Sequence, residues 1–180
     1  MAQVMCVESI EIILRSDRKP KQKQEILVAA ICDGRISDKD FFDFFASASD
    51  VDKGSCADVL KHVSERKPHI LAPHLDKLIG YVNYNAPRVK WGVPEAIGNL
   101  AGIYPEEAAR AIPLLLNNAV ESKANTTVVR WCAAYALSEI AKSNPSIRSE
   151  LVPRIKALAR SEKNNGVRNL YLKALKAIEK

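Results

Sequence analysis

Several signatures of enzymes and metal proteins are missing from this sequence of 180 residues. Its four cysteines, Cys6, Cys32, Cys56 and Cys132, stand apart, and no two of them form a CxxC pair. There is no HExxH motif and no P-loop that would cradle a phosphate. The sequence therefore predicts no zinc site and no nucleotide-binding loop. Scattered single thiols are typical of a cytoplasmic protein with reduced cysteines.

Glycine and long hydrophobic runs are also scarce. The chain has 7 glycines, and its longest apolar run, Ile26 to Cys32, is far shorter than the roughly 20 residues of a membrane span. Residues Met1 to Leu14 carry Glu8 and Glu11 without a basic segment before them, which is not the pattern of a secretory signal. Alanine, leucine, isoleucine, lysine and glutamate are abundant, and all of these except isoleucine are strong helix formers. We expect an all-α cytoplasmic protein that does not enter a membrane.

Positive charge is concentrated at the C-terminal end. The net charge is +6, and residues 151–180 alone carry 8 basic and 2 acidic side chains, while the first 150 residues balance. A basic patch is predicted there: Arg154, Arg160, Lys163, Arg168 and Lys176. Such a patch attracts phosphate or an acidic partner. The alternative interpretation is a solvated terminal surface that keeps the protein soluble.

A spacing of about forty residues repeats along the chain. Pro73, Pro113 and Pro153 follow one another at intervals of 40 residues. A valine and a basic residue come after each proline, in the segments Val89-Lys90-Trp91, Val129-Arg130-Trp131 and Val167-Arg168-Asn169. Each motif then opens a stretch rich in alanine, leucine and isoleucine. This self-similarity predicts a repeat protein.

The stretch after the second motif has the periodicity of an amphipathic helix. Its predicted buried stripe consists of Val129, Ala133, Ala136, Leu137 and Ile140. Helix-start signals recur where a unit of two helices needs them, such as the polar pair at 125–126 and the proline followed by two glutamates at 105–107. Each unit is therefore predicted to contain two helices.

A proline in a first helix, a short turn and a Val-Arg step into a second helix together resemble the HEAT-repeat pattern of armadillo-like α-solenoids. The resemblance covers residues 68–180 as three units, and residues 1–67 are interpreted as two degenerate units. The turn from Asn117 to Lys123 lacks the Asp that is usual in this family, so no regular Asp–Arg ladder is predicted. The resemblance implies one α-α superhelix over residues 1–180, with about ten helices in five antiparallel pairs.

The scheme predicts helix bounds and helix irregularities. The predicted helices are Gln3–Arg15, Lys21–Cys32, Asp38–Ser47, Gly54–Ser64, Ile70–Tyr84, Arg88–Gly102, Glu106–Glu121, Thr127–Lys142, Ser146–Ser161 and Val167–Glu179. Ser37, with Asp40 three residues later, is predicted to cap the third helix. Pro94, together with Gly92, is predicted to kink or delay the helix that begins near Pro87.

In the HEAT-repeat family that the sequence resembles, the second helix of each unit lines the concave side. The side chains of these helices that lie outside the core stripe are therefore candidates for ligand contact. These are Trp91, Glu95, Gly98, Asn99, Trp131, Tyr135, Ser138, Glu139, Asn169, Lys173 and Lys176. The two tryptophans occupy equivalent positions on adjacent units. With Tyr135 they form an aromatic platform for a peptide or for bases in one interpretation. In the other, both tryptophans pack between helices.

Basic residues recur at the starts of the second helices: Arg88, Lys90, Arg130 and Arg168. They form a phosphate-binding stripe in one interpretation. In the other, they bond turn carbonyls or neighbouring carboxylates.

The predicted function is a non-enzymatic scaffold without a cofactor that docks a protein or peptide on its concave face. The predicted ligand-binding residues are Trp91, Glu95, Trp131, Tyr135, Asn169 and Lys173. Nucleic acid is the alternative partner. A resemblance to HEAT-like DNA-alkylation-repair glycosylases would give the chain an enzymatic role, in which Glu95 stabilises a positively charged lesion sugar and Arg130 lies one unit away.

Overall fold

The computed structural model of the protein describes residues 9–180, and this part of the chain is helical throughout, without strands. It contains eleven α-helices: α1 (Ile10–Arg15), α2 (Pro20–Cys32), α3 (Asp38–Ser47), α4 (Asp50–Arg66), α5 (Leu75–Tyr81), α6 (Pro87–Leu100), α7 (Pro105–Ala109), α8 (Ile112–Ala119), α9 (Thr127–Ser143), α10 (Arg148–Ser161) and α11 (Asn165–Ile178). Three short 3₁₀ turns, at 68–70, 72–74 and 145–147, precede α5 and α10. The predicted all-α class is confirmed.

Several helices have the predicted bounds. The prediction for α3 is correct at both ends, and those for α2 and α9 differ from the structure by one residue at one end. Ser37 caps α3 as predicted, because its hydroxyl oxygen accepts the amide hydrogen of Asp40 at a donor–acceptor distance of 3.0 Å. The predicted helix Gln3–Arg15 starts outside the described residues, and its described part is α1.

Two predicted helices are broken near their prolines. The prediction Glu106–Glu121 is wrong, since this segment divides into α7 and α8. Within the predicted helix Ile70–Tyr84, only Leu75–Tyr81 is α-helical. A proline has no N–H, and its ring clashes with the carbonyl four residues earlier. Accordingly, α7 ends at Ala109, four residues before Pro113. In contrast, the predicted delay at Pro94 does not occur, because α6 runs from Pro87 to Leu100 with Pro94 inside it.

Five helices form a continuous row, here called the central row: α2, α4, α6, α9 and α11. Each packs on the next, and the contacts of α4 with α6, α6 with α9 and α9 with α11 are the most extensive in the fold. The remaining six helices lie beside this row: α1 on α2, α3 on α4, α5 on α6, α7 against α6 and α9, α8 on α9 and α10 on α11. One cluster of buried apolar residues extends through these contacts from Ile10 to Leu175. The five residues of the predicted stripe in α9 are all buried.

Glycines allow the central helices to approach closely. A Cβ on Gly92 of α6 would lie 2.5 Å from the carbonyl oxygen of Ala57 in α4. A Cβ on Gly98 would lie 2.8 Å from the ring of Tyr135 in α9. Both distances are shorter than any normal contact, so a side chain would not fit at either glycine. The backbone of α6 therefore lies directly against α4 at Gly92 and against α9 at Gly98. The position of Tyr135 therefore depends directly on the absence of a side chain at Gly98.

Candidate functional site

An aromatic pair is presented on the outer side of α9. Trp131 and Tyr135 are one helical turn apart, and their rings stack with a centroid separation of 5.9 Å and an angle of 4° between planes. Both side chains are half-buried, and Trp131 also packs against the core. The two alternatives for Trp131 are thus combined in one residue, which packs at its base and exposes part of its ring.

A hydrogen-bond chain across three central helices fixes the orientation of Tyr135. The Tyr135 hydroxyl donates to Oδ1 of Asn99 at 2.5 Å, and Nδ2 of Asn99 donates to the hydroxyl oxygen of Ser64 at 2.9 Å. Burial, together with the nearby carboxylates of Glu139, Glu95 and Glu65, raises the pKa of Tyr135 to about 12. The phenol therefore keeps its proton at neutral pH and remains a hydrogen-bond donor.

Trp91 occupies the corresponding position on α6, but its contacts differ from those of Trp131. It is half-buried, and its indole N–H is inaccessible and has no hydrogen-bond partner within residues 9–180. In the same residues, ring stacking joins Trp131 to Tyr135 and does not join the two tryptophans. A ligand at Trp91 would therefore contact the exposed part of the ring rather than the N–H.

Val128 adds an aliphatic group to this surface. Its side chain is 46% exposed, and it precedes Trp131 by three residues on α9, so the two share one helix face. Sequence reasoning missed Val128, because one exposed valine outside the repeat motif gives no signal of its own. We call Trp91, Val128, Trp131 and Tyr135 the aromatic face.

Glu95 is an internal ion-pair partner at the edge of this face. Its carboxylate lies 2.6 Å from Nζ of Lys61 on α4, and its other oxygen lies 3.5 Å from the Cys132 sulfur. Burial lowers the pKa of Lys61, but the hydrogen bond with Glu95 and the attraction of nearby negative charges, Glu95 first among them, together outweigh burial and leave that pKa raised. Lys61 is therefore cationic at neutral pH and neutralises Glu95. Sequence reasoning missed Lys61, because pairing it with Glu95 requires the register of α4 on α6.

Two of the helix-start arginines are committed to contacts within the protein. Arg88 pairs with Asp58 on α4. Arg130 is buried, and it forms a two-pronged pair with Glu162 at N–O distances of 2.8 and 3.1 Å, while Nη1 donates to the Asn125 carbonyl at 2.9 Å. The interpretation in which such arginines bond turn carbonyls and carboxylates is confirmed for Arg130. The carboxylate comes from the turn before α11, which the sequence motif did not indicate.

The Arg130–Glu162 pair should make stability pH-dependent. Burial raises the pKa of Glu162, but the hydrogen bonds from Arg130 and from the amide of Asn164 outweigh burial and leave that pKa lowered. A carboxyl group with a lowered folded-state pKa contributes stability above its unfolded-state pKa of about 4.3 and loses it as the pH falls through the folded value. We expect the unfolding free energy from urea titrations to fall between pH 7 and pH 3, and to fall less in Glu162→Gln. Equal slopes in both proteins would contradict this role of Glu162.

The predicted basic patch lies on exposed side chains, with one exception. Arg154, Arg160, Lys163 and Lys176 are exposed, whereas Arg168 is half-buried. Arg154 lies 3.5 Å from Glu150, and Lys163 lies 3.3 Å from Glu121. Because Glu162 is buried against Arg130, its charge does not offset the basic residues outside. The exposed charge of residues 151–180 is therefore positive, and surface carboxylates pair with part of it.

Asn169 and Lys173 on α11 are both exposed, as expected for candidate ligand-binding residues. Two other positions were placed outside the core incorrectly. Gly98 is buried beneath Tyr135, and Ser138 is only 3% exposed. Gly98 lies where α9 packs on α6, and a side chain there would overlap the ring of Tyr135.

The cysteines and histidines do not form a reactive or metal-binding centre in the described residues. No group of three or more His, Cys, Asp or Glu side chains is arranged to hold a metal ion in residues 9–180. Burial raises the pKa of Cys56 to about 12 and also raises the pKa of Cys132. Both thiols are therefore unreactive at neutral pH. Cys6 lies outside the described residues. Among the described helices, none has the length and apolar character needed to cross a bilayer.

Comparison with protein-family models and with curated proteins finds no match to this chain.

Proposed function

We propose that this chain is a non-enzymatic binding scaffold that docks a protein or peptide on the aromatic face of its central row. In this proposal the helical pairs form a HEAT-like superhelix, and the central row lines its concave side. The observation that carries the proposal is the stacked Trp131–Tyr135 pair, which is partly exposed and held in one orientation by Asn99. Rigid aromatic side chains supply contact area at a low cost in conformational entropy.

Two features of the site favour binding over catalysis. Glu95, the carboxylate of the glycosylase hypothesis, is 14% exposed and neutralised by Lys61. Arg130, the cation of that hypothesis, is 6% exposed and bound to Glu162. Neither group is presented to a substrate with an unpaired charge. Within residues 9–180, the aromatic face therefore offers shape and apolar area rather than an acid, a base or a nucleophile.

Nucleic-acid binding is the second candidate, and the exposed basic side chains of α10 and α11 favour it. Arg88 and Arg130 do not contribute to this candidate, because both are paired with carboxylates inside the protein. In this candidate, the phosphate-binding surface is formed by the exposed basic side chains of α10 and α11.

Affinity capture from a lysate of the source cells tests the scaffold. Val128→Asp places a charge on the aromatic face at a position in the first turn of α9, where an acidic residue is compatible with the helix. We expect this variant and Trp131→Ala to lose a protein that the unchanged chain captures, by at least about tenfold in band intensity, since one buried anchor is worth 1–2 kcal/mol or more.

The matched control for this experiment is Ile103→Asp. Ile103 is 58% exposed and lies after the end of α6, away from the first turn of α9. Circular dichroism of each variant checks that the helices are retained. If Val128→Asp and Ile103→Asp capture the same proteins in the same amounts, the aromatic face is not the docking surface and the proposal fails.

A further inference from the structure

Ion pairing leaves unpaired positive charge on the helix that packs on α9. Four carboxylates of the central helices α4, α6 and α9 lie within ion-pair distance of a cation or an imidazole: Asp58 with Arg88, Glu65 with His62, Glu95 with Lys61 and Glu139 with Lys142. Lys173 and Lys176 on α11 are exposed, and neither has a carboxylate within ion-pair distance in residues 9–180. α11 therefore offers a ligand two positive charges that no carboxylate of residues 9–180 pairs.

The repeat offset places these two lysines on the helix that packs against that of the aromatic pair. α11 packs directly on α9. The Val-basic motifs that begin at Val129 and Val167 are 38 residues apart, and Lys173 lies 38 residues after Tyr135. Lys173 therefore has the same position on α11 as Tyr135 has on α9. Lys176 follows three residues later, so both side chains share one face of α11. Neighbouring helices lie about 8–10 Å apart, and an extended peptide advances about 3.3 Å per residue. A ligand that touches Trp131 therefore reaches Lys173 about three residues further along.

We propose that the partner is an acidic peptide segment, in which an apolar side chain packs on the aromatic face and a carboxylate about three residues away pairs with Lys173 and Lys176. This inference rests on the proposed scaffold function and specifies the chemistry of its partner. Buried Glu162 does not weaken the field of these lysines, because its charge is neutralised by Arg130.

A peptide fits this surface better than a nucleic acid does. A nucleic acid carries a phosphate at every nucleotide, but the unpaired cations argued for here are confined to Lys173 and Lys176 on α11, so phosphates beside bases stacked on Trp131 and Tyr135 would lie away from these cations. A peptide can place its carboxylates only where the lysines are. The exposed aliphatic group of Val128 also suits an aliphatic or aromatic side chain better than a sugar–phosphate backbone.

Selection from a phage library of random dodecapeptides tests the proposal, with the unchanged chain as bait. We expect enriched peptides to carry an apolar residue and, about three residues from it, one or more acidic residues. A fluorescein-labelled synthetic peptide of the enriched sequence is then titrated by anisotropy. Loss of two charge contacts in Lys173→Ala/Lys176→Ala should weaken its binding by about tenfold.

The matched control removes two positive charges from α2 and α5 instead of α11. Lys21 and Lys77 are both exposed, and we expect Lys21→Ala/Lys77→Ala to bind the labelled peptide within about twofold of the unchanged chain. Equal weakening by both double variants would mean that net charge alone attracts the peptide, and would overturn the proposal.

Three further outcomes separate this inference from the scaffold function. Enriched peptides that are neutral or basic, and whose binding depends on Trp131 but not on the lysines, overturn the acidic partner and leave the scaffold in place. A library that yields no enriched sequence overturns the acidic peptide, while the capture experiment tests the scaffold independently. A labelled oligothymidylate that binds more tightly than any selected peptide, and loses affinity in Lys173→Ala/Lys176→Ala, replaces the peptide with single-stranded nucleic acid.

Discussion

Replacing Arg130 with methionine is expected to destabilise the protein by about 3–5 kcal/mol, which for a chain of this size lowers the melting temperature by roughly 6–20 °C. The guanidinium and the Glu162 carboxylate are 7% and 5% exposed, so the variant leaves a carboxylate buried without its counter-charge. The Asn125 carbonyl also loses a donor. Urea unfolding followed by circular dichroism at pH 7 measures the effect.

A double-mutant cycle measures the coupling energy between Arg130 and Glu162 separately from the contribution of each residue alone. Arg130→Met combined with Glu162→Leu removes both charges, and we expect it to recover most of the loss, because two apolar groups replace a buried ion pair at little cost. The surface control is Arg88→Met. The side chains of Arg88 and Asp58 are 42% and 32% exposed, and we expect a loss of at most about 1 kcal/mol. Additive losses in the cycle would show that Arg130 and Glu162 stabilise the fold independently.

Gly92→Ala is expected to lower the unfolding free energy by about 2–3 kcal/mol, although alanine is the better helix former. The added Cβ would lie 2.5 Å from the oxygen and 2.6 Å from the carbon of the Ala57 carbonyl. These are backbone atoms inside α4, so no side chain can rotate away, and α4 and α6 must separate. This loss exceeds the gain of about 0.5–1 kcal/mol that alanine gives over glycine within a helix.

Gly80→Ala is the matched control for Gly92→Ala. Gly80 also lies inside a helix, α5, but a Cβ added there meets no atom within 4 Å. We expect this variant to be more stable than the unchanged chain by about 0.5–1 kcal/mol, since only the effect on chain entropy and helix propensity remains. Changes of the same sign in both variants would show that the α4–α6 approach is not as close as described.

The helices were predictable from the sequence where local chemistry alone decides their ends. Ser37 and Thr126 each accept the amide hydrogen three residues later, and α3 and α9 begin immediately after them. Prolines were harder to interpret. Pro113 breaks a helix, whereas Pro94 and Pro153 lie inside α6 and α10. The difference depends on whether neighbouring helices hold the segment in place, and this information is not local.

The candidate site was predictable only in part. Periodicity identified Trp91, Trp131 and Tyr135 as residues on the outer side of second helices, and all three are half-buried there. The partners of the site residues come from other helices: Lys61 neutralises Glu95, and Asn99 orients Tyr135. Such partners are separated by more than thirty residues, and their pairing depends on how one helix is shifted along the next.

The Arg130–Glu162 pair also limits where the chain can be shortened. Repeat proteins often tolerate removal of a terminal segment, because each helical pair contacts only its neighbours. Here, a fragment ending before residue 162 would retain the cation on α9 but lose the anion that follows α10. We therefore expect expression of residues 9–161 to yield an insoluble or protease-sensitive product unless Arg130 is replaced at the same time. For recombinant work, the last two helices belong with α9 in any fragment intended to fold.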